Sequence, residues 1–334
     1  MIIIKNAITN HFNGNYMVKI LEDGTKERNF HIEAEEEDIK NNNYLPDFPE
    51  SIDLKITNHC DLHCKYCHEN SDKAGEHANL SDTVQSLKGL PAGTELAIGG
   101  GDPLSHPGLI DFLTACKLLG FICSITVNEH HAYHRTTLIE KLIKENLIYG
   151  LGLSIINNNN NDNYRIKSVH EKAIKKDLDN YSNIVIHCIA GVHDLSLIME
   201  SGRIFDKILI LGYKEIGRGK EYKSNEKELI YDNIKELKNN LWRLFNCRGN
   251  NKDTGINTIS FDNLAIKQLG VREHLSKNEW DRFYMGDDGQ FTMYFDAVEK
   301  KYAKSSTDSC RWNSDLNKIT DVFHVIRKGY WVND

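Results

Sequence analysis

No apolar run in this sequence approaches the roughly 20 residues that a membrane-spanning helix requires, and the opening MIIIKNAITN lacks the layout of a signal peptide. Nor is there a basic stripe or run. The formal net charge is −7, which argues against a nucleic-acid backbone as the main partner while leaving a small nucleotide open. Neither duplex nucleic acid nor a membrane is expected as a partner, and the expected location is cytoplasmic. In a reducing compartment the 8 cysteines are not expected to pair as disulfides. The composition, 40% hydrophobic and 27% charged, is that of an ordinary globular protein. At 334 residues the chain is long for one core, yet α/β barrels of this length form single domains.

One further absence is the most telling. The stretch HCDLHCKYCHE, residues 59–69, sets Cys60, Cys64 and Cys67 in the spacing C-x3-C-x2-C and continues without a fourth cysteine. A closed structural zinc site takes four ligands, whereas a reactive metal centre keeps a position open. His68 would complete a zinc site as C-x3-C-x2-C-H, but zinc modules usually separate their ligand pairs by a longer loop. Three thiolates on one short loop can instead hold three corners of a cubane iron–sulfur cluster and leave one iron for a substrate or cofactor. Of the other cysteines, Cys116, Cys123 and Cys188 fall in apolar patterns and read as small buried hydrophobes. Cys247 and Cys310 lie in polar surroundings. The histidines His59, His63, His77, His130, His131 and His134 read as solvated loop residues.

The chain begins as a small β-meander, with IIIKNAI, YMVKILE and KERNFHIE as strands and NGN and EDGT as turns. The acidic, asparagine-rich EAEEEDIKNNNYLPDFPE reads as a solvated linker. Then SIDLKIT, ELAIGGG, CSITVN, GLGLSII, NIVIHCIAGV and KILILGY read as strands. They alternate with helix-patterned segments such as HPGLIDFLTACKLLG and TLIEKLIKENL, which implies parallel βα units. Six such units predict an α/β fold: a partial (β/α)6 TIM-like barrel rather than the closed eightfold one. The low-complexity run NNNNNDN, 157–163, reads as a loop on the strand-end face. Beyond about residue 220 the pattern becomes α+β. KELIYDNIKELKNNLWRLF is a helix, NTISFDNLAIKQLGV a seventh strand and helix, and GQFTMYFDAVEKKYA a terminal hairpin. The expected division is 1–48 for meander and linker, 49–220 for the barrel, and 221–334 for a C-terminal cap.

With the aromatic Tyr66 just before its last cysteine, the cysteine loop resembles the signature of the radical S-adenosylmethionine (SAM) superfamily. A second stretch carries the same resemblance. GGGDPLSHP, residues 99–107, is similar to that family's Gly-Gly-Glu-Pro motif, with Gly100, Gly101, Asp102, Pro103, His106 and Pro107 in matching places. Asp102 stands where the family has Glu. The resemblance implies that Cys60, Cys64 and Cys67 ligate one 4Fe-4S cluster whose open iron takes SAM. It implies that Gly100, Gly101 and Asp102 hold the SAM amino group; consecutive glycines permit close approach, and a carboxylate complements an ammonium. Further implied cofactor contacts are Tyr66, Asn128 in TVNE, Ser154 on the fourth strand, and Ala190, Gly191 and Val192 in IAGVHD. The resemblance covers roughly residues 50–220. LGYKEIGRG, 211–219, resembles the sixth-strand end of peptide-modifying relatives, although GRG reads equally well as a plain turn with a surface arginine.

In that family one electron, from a donor such as flavodoxin or ferredoxin, reductively cleaves SAM to a 5′-deoxyadenosyl radical that abstracts hydrogen from a substrate. The C-terminal part resembles a degenerate SPASM or twitch extension. GDDGQFTMYFDA is similar to the hairpin that opens one, but Tyr294 stands about where a cysteine would, and no auxiliary cluster is expected. Tyr284, Tyr294, Tyr302 and Trp312 can line a pocket or pack a core. The expected function is a radical SAM enzyme acting on a peptide or protein side chain. A nucleoside, nucleotide or other small molecule is the alternative substrate. A glycyl-radical activase is the alternative enzyme, against which LGLSIINN counts. A zinc or iron–sulfur binding module is the non-enzymatic alternative, and it gives GGGDP no role.

Overall fold

In ICSITVN, Cys123, Ile125 and Val127 are buried in the core while Ser124, Thr126 and Asn128 are turned to a wetter face. This period-2 pattern recurs in the neighbouring strands and gives the main sheet two unlike sides. The computed structural model describes residues 6–156, 163–245 and 256–329, with side chains left aside for 163–169. Cys247 and most of the asparagine run lie outside the described residues.

The meander comprises β1 (Ala7–Asn13), β2 (Tyr16–Leu21) and β3 (Lys26–Phe30), paired antiparallel in that order. Of the expected strand IIIKNAI, residues 2–5 lie outside the described residues, and the described strand runs from Ala7 to Asn13. Asn13 pairs with Tyr16 across Gly14 and Asn15, so the tight turn fixes where the strand ends. Gly14 has φ +64°, a conformation that favours glycine. The linker is not wholly irregular, because Glu36–Asn41 forms a short helix with acidic residues in its first turn, where they suit the helix dipole. The Tyr16 hydroxyl donates to Glu50 at 2.6 Å, and Arg28 binds both Glu50 oxygens at 2.6 and 3.0 Å. Lys26 also pairs with Glu95. Glu50 and Glu95 stand at the starts of the first two main-sheet strands, so these contacts hold the meander at their N-terminal ends.

The main sheet contains β4 (Ser51–Lys55), β5 (Glu95–Gly99), β6 (Ile122–Asn128), β7 (Gly150–Ser154), β8 (Ile184–Ile189), β9 (Lys207–Leu211), β10 (Thr258–Phe261), β11 (Thr292–Asp296), β12 (Lys301–Ala303) and β13 (Trp312–Asn313). Their order is β10-β9-β8-β7-β6-β5-β4-β11-β12-β13. From β4 to β10 each strand lies parallel beside its predecessor, as short right-handed βα crossovers require. The fold is the partial barrel. Its sheet ends at β10 and β13, with no pairing between them among the described residues. Buried Leu87, Phe112, Leu113, Cys116, Ile139 and Leu142 from the helices form one core with Ile52, Leu54, Leu96, Ile98, Ile125 and Leu151 from the strands.

The C-terminal hairpin is present, but it does not form a separate layer. β11 adds to the sheet parallel to β4, Tyr294 opposite Asp53 and Asp296 opposite Lys55, while β12 returns antiparallel. β10 extends the opposite edge beside β9. Sequence beyond residue 220 therefore supplies strands at both edges of the barrel. No helix among the described residues is long and apolar enough to cross a membrane.

Candidate active site

The strands converge on a cavity of about 380 Å3. Cys60, Cys64 and Cys67 line it from the loop after β4, and Gly99, Gly100 and Gly101 from the end of β5. Asn128, Ser154, Ile189 and Tyr213 follow from β6 to β9, with Tyr294 and Ser306 from the C-terminal part. This is the carboxyl end of a parallel sheet, where ligand sites of βα folds are built.

Short main-chain bonds shape the cysteine loop. Cys60 N–H donates to Asp72 O at 2.8 Å, and Cys67 N–H to Cys64 O at 3.2 Å. The glycine motif is bonded directly to it: Gly101 N–H donates to Thr57 O and Asp102 N–H to His59 O, both at 2.7 Å. The loop after β9 clamps its other side. Arg218 donates from its backbone to Cys67 O at 3.0 Å, and from its side chain to Cys64 O at 2.9 Å and Ser71 O at 2.7 Å. GRG is thus neither a plain turn nor a surface charge. Gly217 has φ +56°, and a Cβ there would fall 2.4 Å from His68 O. Sequence reasoning missed Arg218 because its partners are main-chain atoms some 150 residues away.

The donor set suits a metal cluster. Burial pushes the Cys64 thiol up to about 11, helped by the neighbouring Cys67 and Cys60, and burial raises Cys60 as well. Cys60 and Cys64 therefore resist ionising unless a cation replaces their protons. Cys310 does not line the cavity, and Cys116, Cys123 and Cys188 are buried in the core, as expected. His68 is occupied elsewhere. Its Nε2 lies 3.2 Å from Glu69 Oε1 and 3.3 Å from Lys214 Nζ, which leaves little room for the zinc reading. One further donor group shares Cys60: its Sγ, an Asp61 oxygen and a His131 nitrogen lie within 4.8 Å of one another.

Several expected contacts are placed differently. Asp102 is 1% exposed and does not line the cavity. Its carboxylate accepts from Arg135 and from the Leu104 amide, with His131 Nδ1 3.5 Å away. The shorter side chain caps the turn that follows it and leaves the glycine backbone as the part of the motif that faces the cavity. The glycines also have another reason to be glycine. A Cβ on Gly100 would sit 2.3 Å from Thr57 O, and one on Gly101 2.2 Å from His59 O, both against backbone rather than ligand space. Gly99, where nothing lies within 4 Å, is the position that opens to the cavity.

Ala190 and Val192 are fully buried, and neither they nor Gly191 line the cavity; Ile189 and His193 do. Tyr66 does line it, with its ring edge-on to His193. Asn128 Oδ1 accepts from His130 N–H at 2.9 Å, so its amide NH2 is the end left to face a ligand. Of the loop histidines, His131 is 3% exposed and lies 2.6 Å from Asp61, hence is not solvated. His59 Nδ1 lies 3.1 Å from Ser105 Oγ. Tyr302 is core, with its hydroxyl donating to Ser86 O at 3.1 Å.

A buried charge network joins the cysteine loop to the C-terminal part. Lys55 pairs with Glu69 at 2.8 Å and Asp296 at 2.9 Å. Tyr294 donates to Glu69 at 3.3 Å. Burial works to raise the Glu69 carboxyl, but the bond from His68 and the charge of Lys55 outweigh it and hold it well below the usual range.

Residues 54–199 match the family model of the Radical SAM superfamily. No curated protein sequence matches the chain. Among solved structures the chain is similar to SuiB of Streptococcus suis bound to the precursor peptide SuiA. That match has 15% identity and a TM-score of 0.58, covering 88% of this chain and 68% of SuiB. It is likewise similar to SuiB bound to S-adenosylmethionine, with 16% identity and a TM-score of 0.58, over 89% of this chain and 72% of SuiB. At this identity the likeness is one of fold.

Proposed function

We propose that this chain, whose residues 54–199 match the Radical SAM family model, is a radical SAM enzyme with a 4Fe-4S cluster and SAM as cofactors, and that it modifies a peptide or protein side chain. The observation that carries this reading is the three-cysteine loop, bonded to the glycine motif and opening on one cavity. In it, Cys60, Cys64 and Cys67 hold the cluster, while Arg218 fixes the loop. The backbone of Gly99 to Gly101, Asn128 and Ser154 orient SAM, and Tyr66 walls the same end of the cavity. When bound, the cluster and SAM together supply a hydrogen-abstracting radical. The chain's part is to position the substrate C–H bond and keep water and stray side chains out. Tyr294 and Ser306 contribute to that enclosure from the C-terminal side.

A peptide substrate is favoured by the resemblance of LGYKEIGRG to peptide-modifying relatives, and by the fold shared with a protein crystallised with its precursor peptide. The same reading takes 1–48 as the meander and linker, 49–220 as the radical SAM core and 221–334 as a degenerate SPASM-like extension that holds no cluster. It places the enzyme in the cytoplasm, served by flavodoxin or ferredoxin. The test is anaerobic reconstitution with iron, sulfide, SAM and a reductant, followed by mass spectrometry of candidate peptides. About four irons per chain are expected. They should be lost in Cys60→Ala, Cys64→Ala and Cys67→Ala and kept in Cys310→Ala. A mass change on a nucleoside but on no peptide would overturn the substrate assignment, and stoichiometric zinc without iron would overturn the cofactor assignment.

A further inference from the structure

Asp53, on β4, lines the cavity two residues below Lys55 and on the same side of the strand, so it sits about 6.6 Å deeper. Its side chain is exposed to the open cavity, and among the described residues no hydrogen bond or ion pair reaches its carboxylate. Of its charged neighbours, Lys214 offsets part of the carboxylate's charge without bonding to it, and Asp262 and Asp288 add to it. Lys214 Nζ binds Ser306 Oγ at 2.8 Å, and Asp262 accepts from the Gly212 and Ala265 amides at 2.9 and 2.7 Å. Asp288 accepts from Asn263 at 2.8 Å. Other carboxylates of the fold bond directly to a cation: Glu50 to Arg28, Asp102 to Arg135, and Glu69 and Asp296 to Lys55. Asp53, which bonds to no cation and opens on the cavity, is left to take a cationic guest.

Four strands along the sheet, β8 turns His187 into the same cavity, again with no hydrogen-bond partner among the described residues. Its ring occupies space that Gly152 leaves free, since a Cβ there would fall 2.6 Å from His187 Cε1 and 2.8 Å from Thr126 Oγ1. Ala97, Leu209 and Leu211 supply apolar wall to this cavity. An anion on one wall, a neutral imidazole on another and hydrocarbon beside them describe a complementary guest.

We infer that Asp53 and His187 recognise the substrate, and that the substrate group entering the cavity is an aliphatic stem ending in a protonated amine or guanidinium. The cation makes a charge-assisted bond to Asp53, the stem lies on Ala97 and Leu209, and His187 meets a second polar group. An anionic end would be repelled by the Asp53 charge, which Lys214 offsets only in part. The inference rests on the radical SAM reading only for the fate of the stem; recognition itself does not need it.

The test is calorimetric titration of the reconstituted, SAM-bound protein with n-butylammonium, n-butylguanidinium and butyrate. At least one cation should bind saturably and butyrate should not. Asp53→Asn should weaken the cation at least tenfold without changing iron content or SAM affinity, and His187→Gln should leave cation binding within a few-fold. Four results would each overturn it: no saturable cation binding, equal binding of butyrate, cation binding indifferent to Asp53→Asn, or an equal loss of SAM affinity in that variant. A protein that takes up neither iron nor SAM would sink the cofactor assignment instead, because the probes are titrated on that same sample.

Discussion

The guanidinium of Arg218 donates to the carbonyl of Cys64 at 2.9 Å, across 154 residues of sequence. The bond joins the loop after the sixth barrel strand to the loop after the first, and a second bond reaches Ser71 O at 2.7 Å. The cysteine loop is therefore braced from two sides, by the glycine motif and by Arg218.

Arg218→Gln removes the charged donor's bonds to Cys64 O and Ser71 O, each worth about 1.5–3 kcal/mol, and a longer one to Asn70 Oδ1. Iron should leave the reconstituted variant at least tenfold faster in the presence of a chelator, and Arg218→Lys should recover only part of the loss because one ammonium cannot span both carbonyls. An unchanged rate of iron loss in the glutamine variant would make the clamp dispensable.

Gly99 and Gly101 should separate cofactor space from loop packing. In Gly99→Leu the new side chain enters open cavity, so iron content should persist while SAM affinity falls at least tenfold. In Gly101→Ala the Cβ meets His59 O at 2.2 Å, next to Cys60, so iron content itself should fall. The reverse ranking, read by iron assay and SAM titration, would contradict this placement.

Burial pushes His187 down to about 4 from its ordinary 6.5. The unfolded chain takes up that proton first, so the stability it contributes is complete above pH 6.5 and is lost as pH falls towards 4. Urea unfolding at pH 7 and at pH 4.5 should show wild type losing more stability than His187→Gln. Equal losses would remove His187 from the account.

Asp296→Ala takes one carboxylate from Lys55, which keeps Glu69 at 2.8 Å. The cost should be about 3 kcal/mol, the low end for breaking a buried pair, read as a lowered denaturation midpoint. Truncation after residue 255 removes β10 from one side of the sheet and β11 to β13 from the other, together with Asp296, so it should abolish iron retention and not merely substrate turnover. A truncated protein that stays soluble and brown would show that the first six strands suffice.

Much of the fold is legible along the chain. SIDLKIT through KILILGY carry the strand pattern locally, and each becomes one of β4 to β9. The end of the first strand is set by the Gly14 turn. The cysteine trio and the glycine motif are equally local, since their spacing is what lets one short loop present three thiols and one turn approach it closely.

What the sequence determined by itself is therefore the parallel strand series, the alternation that gives it a wet face, and the two motifs at its carboxyl end. Only the tertiary structure decided that Asp102 turns to Arg135, that Arg218 braces Cys64, that β10 and β11 extend opposite edges, and that Asp53 opens unmatched into the cavity. A strand's alternation says which side is buried but not which strand lies beside it. A carboxylate's partners are chosen by side chains that chain folding brings from tens to hundreds of residues away.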